Sequence, residues 1–358
     1  IFMKKKLLIS LLVILFSLNY NTFAKTMKDL PYHHLPDGTF RNPEGSPKRD
    51  ENIKWSFRTF NKEKKKLKIE FPPDHVIKKE KVLENLEKYK NDNYVAWIGH
   101  ATFLIKLGNS TIITDPLFSK NAGPLIFGPK RYVGSAIKLN EIPETNLILL
   151  THNHYDHLDY STVKQIKNKV KMFFVPYGVA NHLKGWGVRQ ESIIELNWDE
   201  SANFNGIEIV CLPARHFSGR GPLNRNSTLW CSWAIKSEYG KIYFSGDSGY
   251  GKHFKAIGEM HGPFDLSFLD CGQYNVAWKY SHMIPEEAVR ASKDLVSDFF
   301  MPIHWGAFTL STHPWEEPVN RALNHAKKTN QNIVAPKLGQ IIFLDDLDNN
   351  NIDWWNNN

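Results

Sequence analysis

The segment of residues 151–160 has the sequence THNHYDHLDY and is the feature that most constrains this chain. It follows the apolar run of residues 147–150 and brings three histidines and an aspartate into six positions. Side chains two positions apart in an extended segment lie on the same side. His152, His154 and Asp156 therefore converge if a strand continues briefly into a loop, and the pattern predicts a metal site at the end of that strand.

The next residue of this segment, His157, points away from that group unless the chain turns into a helix there. An Asp156–His157 pair at such a turn can serve a second centre, so the pattern predicts two metals rather than one. Imidazole and carboxylate donors without a thiolate suit zinc, iron or manganese. A lone histidine is usually an ordinary core or surface residue, but the order H-x-H-x-D-H is a specific signal.

Polar residues at the ends of three later apolar runs extend the candidate site. Strand ends in a packed sheet fold lie along one edge, so residues distant in sequence can meet there. Strand-like and helical segments occur in both halves of the chain, which predicts two sheets packed together and covered outside by helices. The three residues are His216 after residues 209–215, Asp247 after residues 242–246 and His304 after residues 300–303.

Length and composition indicate a globular protein with one large domain and extensions. The chain has 358 residues, of which 42% are hydrophobic and 23% are charged. The cysteines Cys211, Cys231 and Cys271 are too few for a disulfide scaffold, and buried thiols are expected. The formal net charge of +8 favours anionic partners such as phosphates or a membrane surface. No dense basic stripe is visible, which argues against a nucleic-acid partner.

The sequence divides into four parts. Residues 1–24 combine Lys4–Lys6 with an apolar stretch and a small terminal residue, the pattern of a secretory signal peptide. An uncleaved membrane anchor is the alternative, and export to the periplasm or its membrane face is expected. Residues 25–92 form an extension expected to pack on the core, and residues 93–345 form the main domain. Residues 346–358 are an Asn-rich tail expected to be disordered.

Residues 54–66 of the extension mix aromatic side chains with lysines. A solvated face that packs a few rings on the core is the default interpretation. The alternative is an interfacial surface, where rings enter lipid headgroups and lysines meet anionic lipid. The aromatic content of 13%, with 11 tryptophans, fits a core or a surface that handles lipid.

Several motifs together resemble the metallo-β-lactamase superfamily, and within it the N-acylphosphatidylethanolamine-hydrolysing phospholipase D family. The resemblance covers residues 37–344. Its most specific element is the run HNHYDHLDY at 152–160. The shorter motifs are WIGHAT at 97–102, TDP at 114–116, GPKR at 128–131, SGDSGY at 245–250, GPFDL at 262–266, PEEAV at 285–289 and IHWG at 303–306.

The resemblance implies an α/β fold, the αββα metallo-β-lactamase sandwich, with two zinc ions bound at one edge. Iron and manganese remain alternatives to zinc. The implied ligands are all imidazoles and carboxylates: His152, His154 and His216 for one zinc, Asp156, His157 and His304 for the other, and Asp247 as a bridge between them.

Three further residues receive roles beside the metals. Asp115 is expected to orient a ligand imidazole without touching a metal. Tyr155 and His282 match positions that contact the substrate phosphate in the family. The implied reaction converts N-acylphosphatidylethanolamine to N-acylethanolamine and phosphatidic acid, by attack of a metal-bridging hydroxide on phosphorus. In that scheme the ligands Asp156 and Asp247 are catalytic, and His282 protonates the leaving oxygen.

The implied partners are an anionic phospholipid and a membrane surface, and a homodimer is left open. The nearest alternative function is another hydrolase on the same fold, such as a lactonase, an amidase or a different phosphodiesterase. A metal pair polarises a carbonyl as readily as a phosphoryl group, so the metal motif does not separate these reactions. A non-catalytic metal-binding protein is the more distant alternative.

Overall fold

A computed structural model describes residues 30–46, 52–67, 75–124, 127–348 and 354–356 of the chain. The predicted signal peptide lies outside the described residues. No helix within the described ranges is long and apolar enough to cross a membrane. The α-helices in these ranges are α1 (Phe57–Lys64), α2 (Lys79–Lys88), α3 (Tyr160–Ile166), α4 (Ala180–Gly185), α5 (His253–His261), α6 (Pro285–Asp294) and α7 (Glu317–Thr329).

The first sheet has seven strands, with an antiparallel and a parallel half. The first three strands of the chain form an antiparallel meander, and the next three continue the sheet in parallel. From one edge to the other the strands are β14 (Ile341–Phe343), β1 (Tyr94–Gly99), β2 (Thr102–Leu107), β3 (Ser110–Thr114), β4 (Leu147–Leu149), β5 (Met172–Pro176) and β6 (Ile193–Leu196).

The second sheet also has seven strands and mirrors this division. Four strands form an antiparallel half, and the parallel half is linked by helical crossovers. From one edge to the other the strands are β13 (Asn332–Ile333), β12 (Ser297–Ile303), β11 (Phe264–Asp270), β10 (Gly240–Phe244), β9 (Ser232–Ser237), β8 (Ile207–Leu212) and β7 (Ser201–Phe204).

The two sheets pack face to face through an aromatic and aliphatic core. The rings of Phe103 on β2 and Phe268 on β11 lie 4.6 Å apart across the interface. A second apolar cluster covers the outer face of the first sheet and includes Val82 of α2 and Leu183 of α4. Helices α6 and α7 pack against strands of the second sheet. The predicted αββα sandwich is therefore confirmed, with each layer held by burial of apolar surface.

Strand boundaries and short edge strands differ from what the sequence predicts. The apolar run of residues 229–236 predicts a strand, but the strand begins only at Ser232. The backbone N–H groups of Leu229 and Cys231 instead donate to the carbonyls of Tyr177 and Thr151, which follow strands of the first sheet. These residues therefore join the sheets rather than extend β9. The short edge strands β6, β7 and β13 were not predicted, because two to four residues carry too little periodicity.

Besides α2, the extension contributes to the core between the sheets. Phe40 is buried in the core between the sheets, and Asn42 Oδ1 accepts hydrogen bonds from His216 N and Trp230 Nε1. Helix α1 lies in the segment rich in lysines and aromatics and buries none of its residues. The extension thus supports the backbone of one predicted metal ligand and leaves α1 on the surface.

The prediction of a disordered tail requires a correction for residues 354–356. Trp354 and Trp355 are buried, and the indole nitrogens donate to Ala335 O and Asn320 Oδ1. Trp354 stacks on Trp305 at a ring distance of 6.1 Å. Burial of two indoles outweighs the local bias of the surrounding asparagines, which composition alone does not reveal.

Candidate metal centre

The candidate centre lies where strands of both sheets end on one edge of the sandwich. The loop after β4 carries the HxHxDH motif, while β10 and β12 end just before Asp247 and His304. Three polar residues at this edge have left-handed backbones: His100 with φ 58°, Asp115 with φ 32° and His304 with φ 68°. Such conformations are costly for residues other than glycine and cluster at functional sites.

A glycine allows the two sheets to approach each other at this edge. Gly246 has φ 56°, and a Cβ there would lie 2.6 Å from Cβ of Thr151. Thr151 precedes the first histidine of the motif, and Gly246 precedes Asp247. The absence of a side chain therefore brings the ends of β4 and β10 together, which no other residue could do without displacing the backbone.

The first group of ligands gathers around His154. Its Nδ1 lies 2.9 Å from His152 Nε2 and 3.2 Å from His216 Nε2. Oδ2 of Asp247 lies 3.7 Å from His152 Nε2 and 3.5 Å from His216 Nε2. One ligand atom from each of these four residues falls within a cluster 4.8 Å across.

The second group gathers around Asp156. Its Oδ2 lies 3.1 Å from His304 Nε2 and 3.4 Å from His157 Nε2. His100, which the sequence did not single out as a ligand, contributes Nε2 at 3.1 Å from the same oxygen. These four residues form a second cluster within 4.8 Å.

Asp247 faces both groups. Its Oδ1 lies 3.1 Å from His157 Nε2 and 3.3 Å from His304 Nε2, while its Oδ2 faces His152 and His216. The two oxygens of one carboxylate are thus directed at two sets of imidazoles. This is the geometry that a bridging ligand requires.

Asp115 contacts the second group from behind. His157 Nδ1 donates to Asp115 Oδ2 at 2.7 Å, and the backbone N and Oγ1 of Thr151 donate to its two oxygens. The carboxylate is fully buried. The bond to Nδ1 leaves Nε2 of His157 facing the other ligands, so the geometry fits the orienting role expected of Asp115.

Burial and charge give the two groups different electrostatics. Burial lowers the pKa values of His152, His154 and His216, that of His154 to about 4, so these imidazoles are neutral at pH 7. Burial also opposes charge on His157 and His304, but Asp247 and Asp156 outweigh it. They raise the pKa of His157 well above its ordinary value and that of His304 to about 10. The carboxylates thus favour positive charge at the second group, which a bound cation can supply.

The residues fit a pair of divalent metal ions. The first group offers three neutral imidazoles whose nitrogens crowd together, and the second offers buried carboxylates that need positive charge. The donors are nitrogen and oxygen atoms, and the cysteines among the described residues are all buried elsewhere. Such a set suits zinc, iron or manganese. All seven predicted ligands are brought into this arrangement.

A histidine and an aspartate form a pair beside the ligands. Nδ1 of His282 donates to Oδ2 of the buried Asp270 at 2.8 Å, and His282 lines the cavity at the metal centre. Ser248 N donates to the same oxygen at 3.2 Å, and Asp270 Oδ1 lies 3.5 Å from His304 Nδ1. Asp270 was missed in the sequence, although it ends β11 in the way that Asp247 and His304 follow their strands. His100 follows β1 in the same way.

Tyr155 lies on the opposite side of the metal loop. Its hydroxyl donates to Arg220 O at 2.8 Å, and the Arg220 guanidinium lies 3.9 Å from its ring centre. Arg220 Nη1 also donates to the carbonyls of Asn153 and Leu158. The Tyr155 side chain lines a surface cavity behind the loop and not the cavity at the metals. Its contact with substrate stays a prediction, while the geometry gives it a part in holding the loop.

A cavity of about 450 Å³ opens over the two groups. Its floor contains the metal-ligand residues His154, Asp156, Asp247 and His304 together with His282. Its remaining walls are mostly aromatic or apolar, with one arginine: Trp55, Phe217, Arg225, Gln273, Ala277, Trp278, Tyr280, Ser281 and Leu310.

Comparison with known proteins shows which family the chain belongs to. The model of the β-lactamase superfamily domain matches residues 110–305. An uncharacterized protein of Mycobacterium tuberculosis is 45% identical over 251 residues, which is 69% of this chain and 67% of that protein. N-acyl-phosphatidylethanolamine-hydrolyzing phospholipase D 1 of Caenorhabditis elegans is 40% identical over 61% of this chain and 65% of that protein. The chain thus spans about two thirds of the length of these relatives.

Two further comparisons concern part of the chain and the fold. Outer membrane protein RomA of Klebsiella pneumoniae is 56% identical over 100 residues, covering 28% of this chain and 75% of that protein. Among solved structures, an isothiocyanate hydrolase from Delia radicum gut bacteria matches with a TM-score of 0.56 at 18% identity, over 70% of this chain and 98% of that chain. The chain therefore belongs to the β-lactamase superfamily, as a metal-dependent hydrolase built on the metallo-β-lactamase fold.

Proposed function

We propose that this protein is a zinc-dependent phosphodiesterase that cleaves N-acylphosphatidylethanolamine or a closely related phospholipid on the phospholipase D side of the phosphate. The observation that carries the proposal is the pair of ligand groups, shared through Asp247, at the floor of a cavity with aromatic walls. The similarity to the C. elegans phospholipase supports the lipid substrate. The products would be phosphatidic acid and an N-acylethanolamine.

The ligand residues define where the reaction occurs. When bound, two zinc ions would lower the pKa of water and neutralise negative charge on the phosphoryl oxygens. Asp247 holds the two groups at a fixed separation, and Asp115 fixes the ring of His157. A substrate that fills the cavity would displace water between its aromatic walls, which would strengthen electrostatic interactions at the floor.

His282 is the candidate proton donor to the leaving alcohol. Because the Asp270 carboxylate accepts from Nδ1, the other ring nitrogen Nε2 is the one available to the cavity. A protonated Nε2 can donate to the oxygen that leaves phosphorus, and Asp270 stabilises the charged ring before the transfer. The contact with Asp270 supports this role, because a buried partner orients the imidazole that would donate the proton.

Three exposed apolar side chains lie close in sequence to residues that line the cavity, and they support a lipid substrate. Phe57, Leu223 and Val276 are 69%, 99% and 70% exposed. Each lies within two residues of a cavity wall residue, namely Trp55, Arg225 or Ala277. The neighbouring wall residues come from separate segments of the chain, and the fold brings them together at one cavity. We call these three residues the apolar rim.

Contacts of the extension fix one side of this rim. Trp55 and Phe60 contact the ring of Trp278 at 6.3 and 5.9 Å. Helix α1 also carries lysines in its last turn, and the described residues give Lys62 no ion pair. An apolar rim with nearby cations matches the chemistry of an anionic membrane surface, which supports the interfacial interpretation of residues 54–66.

We expect the apolar rim to govern binding to lipid vesicles. Replacing Phe57, Leu223 and Val276 together by serine should weaken binding to anionic vesicles by at least about tenfold, because three apolar side chains lose their burial in the interface. Co-sedimentation with vesicles measures this directly. The matched control replaces the exposed Met260 and Val296 by serine; they precede the starts of β11 and β12, at the ends of those strands away from Asp270 and His304. Equal vesicle binding by both variants would show that the apolar rim does not contribute to membrane binding.

A periplasmic location would bring the protein into contact with membrane lipid outside the cytoplasm. The pattern of residues 1–24 and the partial similarity to an outer membrane protein are the grounds for proposing a periplasmic location. Fractionation of cells expressing the full chain tests it. Recovery with cytoplasmic markers would contradict it.

A panel of four substrates tests the proposed reaction. The zinc-loaded protein should hydrolyse N-acylphosphatidylethanolamine and, more slowly, a generic phosphodiester. A lactone and a cephalosporin represent the rival reactions, in which the same metals polarise a carbonyl group. Turnover of only these last two compounds would contradict the proposed lipid phosphodiesterase function and indicate a carbonyl hydrolase.

A further inference from the structure

The wall of the metal cavity contains one arginine whose charge the proposed reaction does not use. Arg225 is the single Lys or Arg residue among the described residues that line this cavity. Within the described part of the chain its guanidinium has neither a carboxylate partner nor a hydrogen-bond acceptor; its contact is the ring of Phe217, 4.4 Å away. The carboxylates of the cavity, Asp156 and Asp247, belong to the metal-ligand groups.

The backbone around Arg225 is fixed by hydrogen bonds on both sides. Asn226 N donates to Ser218 O at 2.9 Å, and Asn226 Oδ1 accepts from Ser218 N at 3.3 Å. Asn224 Oδ1 accepts from Arg220 N at 2.9 Å. The arginine is therefore presented from a braced loop, and its planar group is oriented by stacking on an aromatic ring.

The phenyl ring of Phe217 lies between this guanidinium and two of the metal-ligand histidines. Phe217, on which it stacks, also contacts the imidazole of His154 at 4.5 Å and that of His216 at 4.7 Å. A phosphate held at the cavity floor is thus separated from the guanidinium by the phenyl ring. The group that Arg225 meets must be a different part of the same substrate.

We propose that Arg225 forms a subsite for a second anionic group, a carboxylate or a phosphate, on the substrate that the metal centre cleaves. A stacked guanidinium with no internal partner recognises such oxyanions through two parallel N–H donors. The inference rests on the proposed phosphodiesterase function and specifies its substrate class. The preferred headgroup carries a negative charge in addition to the scissile phosphodiester.

Matched lipids test this preference. N-acylphosphatidylserine and N-acylphosphatidylethanolamine differ by one carboxylate, and both can be presented in micelles of an uncharged detergent. We expect the wild-type protein to cleave the serine lipid with a KM about tenfold lower, since a charge-assisted hydrogen bond contributes at this scale. Arg225→Gln should abolish the difference and Arg225→Glu should reverse it. The zinc content of both variants should stay at the wild-type value, which would show that the metal centre is intact.

A neighbouring cation provides the control for general electrostatics. Lys279 stacks on Tyr280 beside the cavity but does not line it. Lys279→Gln removes the same charge, and we expect it to keep the preference for the serine lipid. Equal loss of the preference in Lys279→Gln and Arg225→Gln would overturn the proposal, because it would show a diffuse field instead of a subsite.

Binding measurements separate this inference from the proposed reaction. Calorimetric titration of the zinc-loaded protein with glycerophosphoserine and glycerophosphoethanolamine requires no turnover, and we expect the first to bind more tightly. Titration with glycerophosphoglycerol, with and without a terminal phosphate, shows whether the subsite binds a phosphate as well as a carboxylate. Binding differences that depend on Arg225 without turnover would support the subsite and count against the reaction. Equal or undetectable binding of each matched pair would overturn the subsite.

Discussion

Asp247→Asn is expected to remove metal and activity together. The substitution preserves the shape of the side chain but takes away the charge that faces both imidazole groups at 3.1–3.7 Å. The neutral amide cannot bridge two cations, because its NH₂ group offers no electron pair to a metal ion. We expect bound zinc to fall from two equivalents to one or less. The rate should fall by at least about 10²–10³-fold, the effect of losing one charged group at the reacting centre.

Metal analysis and kinetics on the same preparation check this prediction. Inductively coupled plasma spectrometry gives zinc per chain, and hydrolysis of a phosphodiester gives the rate. The exposed Asp298 supplies a matched control, since Asp298→Asn makes the same chemical change on the surface. Wild-type turnover by Asp247→Asn at unchanged zinc content would show that Asp247 is not a bridging ligand.

Much of this centre could be predicted because its residues follow apolar runs in the sequence. His152, His154 and Asp156 are spaced for convergence, and His216, Asp247 and His304 each end a recognisable strand or strand-like run. The same rule applied to every strand would have found Asp270 and His100. They were missed because neither belongs to a cluster of polar residues in the sequence, and a single polar residue after a strand is common.

Other features depend on tertiary structure alone. Nothing local in the sequence of α1 shows that Trp55 and Phe60 reach Trp278 at the cavity mouth. The orientation of the Tyr155 side chain also depends on a tertiary contact. Its neighbours in the motif face the metal centre, but its ring is held behind the loop by Arg220, 65 positions away. The buried tail residues Trp354 and Trp355 depend on contacts with Ala335 and Asn320. Such long-range contacts have no signature in periodicity or composition.

His282→Gln is expected to lower kcat while leaving both metals bound. His282 is held by Asp270 and belongs to neither predicted ligand set, so we expect its removal to take away the candidate proton donor and not a ligand. General acid catalysis contributes about 10²–10⁴-fold, and we expect a loss of this size on a phosphodiester with an alkyl leaving group. Zinc content should remain at the wild-type value.

A change of leaving group distinguishes proton donation from a structural effect. A p-nitrophenyl diester expels a stable phenolate that needs no proton, so His282→Gln should cost far less on that substrate than on the alkyl diester. Asp270→Asn should show the same pattern in weaker form, because it leaves the imidazole present but no longer fixes Nδ1 as the donor. His325→Gln, on the outer helix α7, is the matched control and should leave both rates unchanged. Equal losses on the two diesters would mean that His282 shapes the cavity without supplying a proton.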